Sequence, residues 1–339
     1  MSPSSGAGPT GVSSITLVPS DSPAQFASAS PTPSRSALPT IVTKAVVPVP
    51  RVVALAPTVD GAWFVAAGNP PTVGLLSATG VAQVSAAGPA PVALVASAND
   101  VFLVEGEPDT GPANGLRTNV LERLDAASLR VRATVPLKEL TTAVTHTDGL
   151  VWTIGTQGTV VAYDDRTLTT RWTGHLDGRG PAAITAGDNA VWATIGKVGE
   201  GAGDGQYFVA RIGLLNDHPV QTTIVPGDGV GPVIAADANA WLAAADYPVF
   251  DWLYPIDNHG NAGNPTHIPS PAGMDADEGR LWWVGVDGSA GAIDQATGAR
   301  TPELVLPGGS GVAIAVDRTT AYAAAGDQVF VLSLATQTP

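Results

Sequence analysis

Short apolar runs, each marked by an aromatic residue, return at regular intervals along this chain. The seven aromatic positions are Trp63, Phe102, Trp152, Trp192, Trp241, Trp282 and Tyr322. They stand 39 to 50 residues apart, a spacing typical of repeated four-stranded sheets rather than of helical repeats. The pattern predicts an all-β protein, a seven-bladed β-propeller whose blades are four-stranded antiparallel sheets.

The third repeat shows how each blade is built. Residues rich in Val, Thr and Leu form four strand-like segments, at 141–146, 150–155, 159–164 and 169–174. The pairs Asp148-Gly149 and Gln157-Gly158 lie between them, and such pairs tolerate the positive φ that tight hairpins need. The second segment carries the aromatic anchor, which is predicted to pack between blades.

The sixth repeat has two adjacent tryptophans, Trp282 and Trp283. Neighbouring side chains in a strand face opposite sides of the sheet. We therefore expect one of the pair to be packed and the other to be partly exposed.

The seventh repeat lacks a fourth segment. Its three segments cover residues 312–316, 321–326 and 328–334. Residues 41–50 resemble the fourth-strand segments of other repeats, including their final Val-Pro or Leu-Pro, at 220–226 and 301–307. Because an open ring would leave an unpaired sheet edge, we expect the N-terminal strand to complete the last blade and close the ring.

Residues 1–40 differ in composition from the rest of the chain. They are dominated by Ser, Pro, Ala, Thr and Gly, with one acid, Asp21, and one base, Arg35. Such a segment cannot bury enough apolar surface to offset the entropy lost on ordering, so we predict a disordered linker followed by a propeller of residues 41–339. The linker resembles the stalks of exported bacterial domains; a plain mobile terminus is the alternative.

Charge and composition narrow the classes of partner. The 16 basic and 30 acidic residues give a net charge of −14, which disfavours broad binding to nucleic acid or to an anionic membrane. The chain has no cysteine, so disulfides, thiolate nucleophiles and cysteine-ligated zinc are excluded. No signal-peptide pattern and no apolar run of about 18 residues occurs, so we expect no direct membrane insertion. The expected oligomeric state is a monomer.

The sixth repeat also carries the segment Gly291–Gly298, GAIDQATG. This segment resembles the YVTN, NHL and quinoprotein-type repeats of bacterial propellers, and the resemblance covers residues 41–339. Proteins of the virginiamycin B lyase-like group are similar in architecture and use histidine and glutamate side chains around a bound metal. None of the five histidines here stands in a His-x-Glu or Glu-x-His pair. The resemblance implies the fold without that catalytic pattern.

Insertions after second strands point to one face of the ring. In a propeller the second-to-third-strand loops and the blade-to-blade connections share a face, and long loops there are often functional. Such insertions are expected at residues 105–119, 197–206 and 246–252. The candidate binding residues on this face are Glu105, Glu107, His175, Asp177, Arg179, Glu200, Asp228, Asp246, Tyr247, Asp251 and Trp252.

The chemistry of this set leaves alternatives open. Carboxylates beside aromatic rings suit a cationic ligand, a carbohydrate or a basic protein, whereas the acids of an acidic protein are also often simply solvated. Gly201–Gly205 and Gly227–Gly229 combine Asp with glycine as calcium loops do, but without the full spacing of one. No Gly-x-Ser-x-Gly elbow and no phosphate-binding glycine-rich loop occurs. We therefore predict no catalytic residues.

These observations favour a non-enzymatic propeller that binds a protein, a small molecule or a carbohydrate, without a cofactor. Its composition is typical of actinobacterial proteins, and NHL-type propellers follow a stalk at the extracellular ends of bacterial Ser/Thr kinases. We expect an extracytoplasmic recognition or sensor module of the bacterial cell envelope. The alternatives are a metal-assisted lyase or hydrolase at the channel mouth, with a divalent cation such as calcium and His175 as base, and a quinoprotein-like oxidoreductase.

Overall fold

The sequence folds into seven four-stranded antiparallel sheets. A computed structural model describes residues 39–59, 61–108, 116–180, 182–187, 190–197, 206–213, 219–226, 233–237, 239–246, 249–269 and 271–335. These residues form 28 strands and no helix, and so none that could span a membrane. The arrangement confirms the predicted seven-bladed β-propeller.

Blades 1 to 3 follow the first strand along the chain. Blade 1 comprises β2–β5, blade 2 comprises β6–β9 and blade 3 comprises β10–β13. The strands are β1 (Thr40–Pro48), β2 (Val52–Thr58), β3 (Gly61–Ala66), β4 (Thr72–Ser77), β5 (Gly80–Ala86), β6 (Ala90–Ala96), β7 (Asp100–Pro108), β8 (Leu116–Asp125), β9 (Val131–Pro136), β10 (Thr141–Thr147), β11 (Leu150–Gly155), β12 (Thr159–Asp164) and β13 (Thr170–His175).

Blades 4 to 7 use the remaining strands. Blade 4 comprises β14–β17, blade 5 β18–β21 and blade 6 β22–β25, while blade 7 combines β26–β28 with β1. The strands are β14 (Ala182–Gly187), β15 (Ala190–Lys197), β16 (Gln206–Gly213), β17 (Pro219–Pro226), β18 (Val233–Ala236), β19 (Ala240–Asp246), β20 (Val249–Ile256), β21 (Thr266–His267), β22 (Pro271–Asp277), β23 (Arg280–Gly285), β24 (Ser289–Asp294), β25 (Leu304–Val305), β26 (Gly311–Asp317), β27 (Thr320–Ala325) and β28 (Gln328–Ala335).

The ring closes as the sequence predicted. β1 pairs antiparallel with β28, from Thr40 opposite Ala335 to Pro48 opposite Gln328, with a bulge between Thr43 and Ala45. The order β1-β28-β27-β26 makes β1 the outer strand of blade 7. Strands from opposite ends of the propeller sequence therefore share one sheet.

The order of strands defines two faces. The first strand of each blade lies at one edge of its sheet, and the first strands of neighbouring blades contact one another around the ring, so they form its inner rim. Because successive strands are antiparallel, the second-to-third-strand loops and the inter-blade connections share one side, which we call the upper face. The other turns lie on the lower face.

The core lies in the seams, which are the contacts between the facing sheets of neighbouring blades. Each second strand is buried on both sides because two neighbours cover its blade, and all seven aromatic anchors are buried. Trp282 and Trp283 are both buried as well, so the expectation of a partly exposed partner is wrong. Trp282 packs in the seam with blade 7 and Trp283 in the seam with blade 5.

Candidate functional site

The connection between blades 3 and 4 presents three predicted site residues on the upper face. His175 ends β13, and the side chains of His175, Asp177 and Arg179 are all exposed. Between them Leu176 is buried and packs in the seam between blades 3 and 4. The alternation directs a histidine, an acid and a base to solvent, while an aliphatic side chain holds the segment down.

Backbone hydrogen bonds fix this connection to two blades. The bonds run from Leu176 N–H to Gly158 C=O at 2.9 Å, from Arg179 N–H to Gly196 C=O at 2.8 Å and from Gly180 N–H to Thr156 C=O at 2.8 Å. Thr156 and Gly158 belong to the second-to-third-strand turn of blade 3, whereas Gly196 lies on the second strand of blade 4. The three exposed side chains therefore stand on a backbone held from both sides of the seam.

Blade 5 presents an aromatic side chain in the upper part of its third strand. Trp252 on β20 is 37 % exposed. Its ring meets the ring of His267 edge-on, with centroids 5.8 Å apart. The next residue, Leu253, is buried in the seam with blade 6, and Tyr254 packs towards blade 4. Because side chains alternate along a strand, Trp252 faces the same side as Tyr254, towards blade 4.

The structure changes the expected form of the 246–252 segment. Instead of a loop, β19 continues to Asp246 and β20 begins at Val249, with Asp246 opposite Val249 in register. Val, Phe and Trp favour extended strands, so the extra residues lengthen the hairpin. Asp246, Asp251 and Trp252 consequently lie on one hairpin, and Tyr247 falls outside the described residues.

Glu105 occupies a different environment from the one expected. β7 continues past it to Pro108, so Glu105 lies in a strand, where it is buried. Its Oε1 accepts a hydrogen bond from Gly88 N–H at 2.5 Å, and a Cβ at Gly88 would collide with the carboxylate. Burial raises the pKa of Glu105, the Gly88 hydrogen bond opposes that rise, and the charge of Glu122 adds to it. Glu105 joins blades 1 and 2 rather than facing solvent.

The remaining predicted residues are described only in part. Glu107 lies within β7. Glu200 and Asp228, with the glycine-rich segments 201–205 and 227–229, fall outside the described residues. Within the described ranges, no group of three or more His, Asp or Glu side chains is placed to hold a metal ion.

Two polar side chains that the sequence did not single out also fix the upper face: Asn119, which is buried, and Glu139, which is partly buried. Asn119 donates through Nδ2 to Thr141 C=O at 2.7 Å and accepts from Thr141 N–H at 3.3 Å. Glu139 accepts a hydrogen bond from Thr159 N–H at 2.9 Å. The Asn119 bonds join blade 2 to the first strand of blade 3, and no local pattern marks either residue.

The inner rim of blade 6 holds a carboxyl group that the sequence analysis also missed. Asp275 accepts hydrogen bonds from Val316 N–H at 2.8 Å and Ala276 N–H at 2.9 Å. Although the residue keeps some accessible surface, its carboxyl group is enclosed by protein, and this burial raises the pKa of Asp275 to about 7. The two hydrogen bonds oppose the rise, and the charge of Asp277 adds to it.

Comparison with known proteins supports the fold and does not identify a function. No protein-family model matches the sequence, and no curated protein is similar to it in sequence. The crystal structure of BamB from Moraxella catarrhalis is similar in fold, with a TM-score of 0.56 and 14 % sequence identity, over 88 % of this chain and 99 % of that chain. The chain is therefore a β-propeller by fold, and its own structure has seven blades.

Proposed function

We propose that this chain is a non-enzymatic recognition propeller of the bacterial cell envelope, which binds a protein partner on the upper face of blades 3 to 5. The observation that carries the proposal is Trp252, 37 % exposed on a scaffold whose aromatic anchors are all buried. Tryptophan often dominates the energy of a protein interface once a partner covers it. An exposed tryptophan on a hairpin whose sequence also carries two acids therefore suits a contact point.

The spread of the exposed residues favours a protein over a small ligand. His175, Asp177 and Arg179 belong to the connection between blades 3 and 4, whereas Trp252 belongs to blade 5. A partner that touches both groups spans blade 4, which suits a protein interface of about 800 Å² per partner. Protein interfaces usually have an aromatic, apolar core and a polar rim. Trp252 suits the core of such an interface, and the charged residues at a distance from it suit the rim.

The envelope location and the sensor role rest on sequence. The Ser- and Pro-rich residues 1–40 resemble the stalks of exported bacterial domains, and the repeats resemble YVTN and NHL propellers of bacteria. Under this proposal the propeller recognises a partner outside the cytoplasm by rigid presentation of its upper face. Little backbone change is expected on binding, as in other pre-organised complexes.

Trp252→Ala is the first test of the upper face. The immobilised full-length chain, incubated with envelope extract of the source bacterium and chemically cross-linked, is expected to capture a defined partner identified by mass spectrometry. Trp252→Ala is expected to lose that partner, and Trp252→Phe to retain part of the binding because a ring remains. Val84→Ala, at an exposed position on the outer strand of blade 1, serves as control. Equal capture by Trp252→Ala and the wild type would refute the proposal.

Elemental analysis separates this proposal from a metal-assisted enzyme. Protein purified without chelator is expected to contain no stoichiometric metal, and its melting temperature is expected to be the same with and without EDTA. A bound metal whose removal lowers the melting temperature would favour the enzyme instead, since carboxylates holding an ion add its binding energy to the folded state.

A further inference from the structure

The seam between blades 1 and 2 is open on the lower face. A groove of about 610 Å³ lies there, between the end of the first strand of blade 1 and the two lower turns of blade 2. Trp63 and Leu75 of blade 1 form one side, and Ala96, Ala98 and Ala126 of blade 2 form the other. The volume falls within the range of about 300–1,000 Å³ that small-molecule sites occupy.

The groove is open where blade 2 carries an alanine and blades 3 and 6 carry larger side chains. Ala126 N–H bonds to Asn99 C=O, as Asp165 N–H bonds to Gly149 C=O and Gln295 N–H to Gly279 C=O in the matching turns of blades 3 and 6. Ala126, Asp165 and Gln295 are thus equivalent positions in these three blades.

The larger side chains at the matching positions close their seams. Gln295 covers the anchor of the preceding blade by accepting a hydrogen bond from Trp241 Nε1 at 3.0 Å. Asp165 holds His146 at 3.1 Å, and His146 stacks on the anchor Phe102. Ala126 has no side chain that could reach Trp63 in either way.

The lining of the groove is uncharged. The described residues that line it are Pro, Thr, Val, Trp, Leu, Ser and Ala, and none of these described residues has an ionisable side chain, in a chain of net charge −14. The hydroxyl of Ser97 already accepts from Asp100 N–H at 3.2 Å and donates to Asp100 C=O at 3.4 Å. An ion entering the groove would lose hydration without meeting an opposite charge on the described lining side chains, whereas an apolar molecule would gain by burial.

We propose that this groove is a binding site for a small uncharged apolar molecule that lies against Trp63. Its alanine walls suit a flat apolar ring system, which can contact the small part of the Trp63 indole that borders the groove. The site is on the lower face and is separate from the surface proposed for a protein partner, so each proposal stands or fails without the other.

Two dyes with the same skeleton and different charge test the ligand class. N-phenyl-1-naphthylamine is neutral, and 8-anilinonaphthalene-1-sulfonate adds a sulfonate to the same two ring systems. Titrated into the full-length chain, the neutral dye is expected to bind saturably at one site per chain, with quenching of tryptophan fluorescence. The sulfonate is expected to bind at least about tenfold more weakly. Absence of saturable binding by the neutral dye, or equal affinity for both dyes, would overturn the proposal.

Substitutions that copy the closed seams test the location. Ala126→Gln places the side chain of Gln295 beside Trp63 and is expected to weaken binding of the neutral dye by about tenfold or more. Ala296→Gln, at an exposed position of the corresponding turn of blade 6, adds the same group away from the groove and is expected to leave binding unchanged. Ala96→Leu narrows the groove from another position. If both groove variants melt like the wild type and bind the dye equally well, the location is wrong.

Discussion

The seams on the two sides of blade 2 have the same strand architecture and different contents. In the seam with blade 3, Phe102 is fully buried and stacks on His146, with ring centroids 5.6 Å apart and planes 11° from parallel. The Nε2 atom of His146 lies 3.1 Å from the Asp165 carboxylate. In the seam with blade 1, the residues at the positions of His146 and Asp165 are Ala96 and Ala126, and a groove remains.

Charged groups reinforce the filled seam. Arg123 of blade 2 pairs with Asp100 at 2.9 Å and also donates to the backbone carbonyl of Arg166 in the lower turn of blade 3. Both side chains of the pair are largely buried, so the interaction is less screened by solvent than one on an open surface. The filled seam is therefore joined by aromatic, ionic and backbone contacts at once.

The fold leaves the lower end of each seam free to vary. On the two sides of blade 2, the filled and the open seam differ at an anchor position, at one position on the first strand and at one position in the third-to-fourth-strand turn. Neither arrangement disturbs the ladder of strands. A seam of this kind can therefore serve stability in one place and binding in another.

Opening the ring is expected to have the largest effect, because both seams depend on a closed circle. Removal of residues 1–50 deletes β1 and the buried Ile41, Val47 and Val49. At about 1.5–3 kcal/mol per buried aliphatic side chain, the expected loss of unfolding free energy is about 5 kcal/mol or more. Removal of residues 1–38 leaves β1 intact and is the control, expected to change the melting temperature little. Equal melting of the two truncated chains would contradict closure by β1.

Emptying the filled seam is expected to have the next largest effect. Phe102→Ala removes a fully buried ring and leaves His146 without its stacking partner, at a cost of about 3–5 kcal/mol. Val131→Ala in the outer strand of the same blade, where the side chain is exposed, is expected to cost less than about 0.5 kcal/mol. Urea unfolding followed by tryptophan fluorescence measures both. A small effect at Phe102 would mean that its aromatic contact contributes little to the seam between blades 2 and 3.

The features that sequence predicted are those set by local signals. The anchor spacing fixed the number of blades, and Gly149, at φ 72°, lies at a turn that the Asp-Gly pair predicted. The final Val-Pro of residues 41–50 is also a local signal, because it repeats the end of other fourth strands, and it identified β1. Exposure at His175, Asp177 and Arg179 followed from their place in an inter-blade connection.

The features that sequence missed depend on pairs of residues from different blades. Glu105 reads as the start of a polar loop, yet Gly88 of the preceding connection converts it into a buried acceptor. The groove needs both Trp63 and Ala126, which lie in different blades. No window along the chain contains such a pair, so neither the buried glutamate nor the open seam leaves a local pattern.

The seam between blades 6 and 7 contains a buried carboxyl group, that of Asp275. Its contribution to the free energy of unfolding depends on pH. The pKa of Asp275 is raised from 3.8 to about 7, so between about pH 4 and pH 7 the folded chain holds a proton that the unfolded chain has lost. Stability then falls as pH rises through this window, by up to about 1.4 kcal/mol per unit, and the loss is complete above about pH 7.

Asp275→Asn is expected to remove this pH dependence. The amide stays neutral, and its oxygen still accepts from Val316 N–H. The melting temperature of the variant relative to the wild type should therefore rise between pH 4.5 and pH 8, by several degrees for about 2–4 kcal/mol. Thermal melting of both proteins across that range is the measurement. Parallel curves would show that the carboxyl group is already ionised at low pH.

Introducing the side chains of the filled seam into the open one tests the difference between the two seams and has the smallest expected effect. Ala96→His and Ala126→Asp together place the pair of His146 and Asp165 beside Trp63. Because the backbone bonds of the two turns match, at 2.9 Å for Ala126 and 3.0 Å for Asp165, the new side chains should meet as they do beside Phe102. Partly exposed ion pairs of this type are worth about 0.2–1 kcal/mol.

A double-mutant cycle isolates that coupling. Unfolding is measured for the wild type, the two single variants and the double variant. The stability of the double variant should exceed the value expected from adding the two single effects by about 0.2–1 kcal/mol. Additive effects would mean that Trp63 holds the two positions further apart than Phe102 does. In that case the difference between the seams would lie in the anchor ring as well as in the alanines, and the groove would be a property of blade 1 as much as of blade 2.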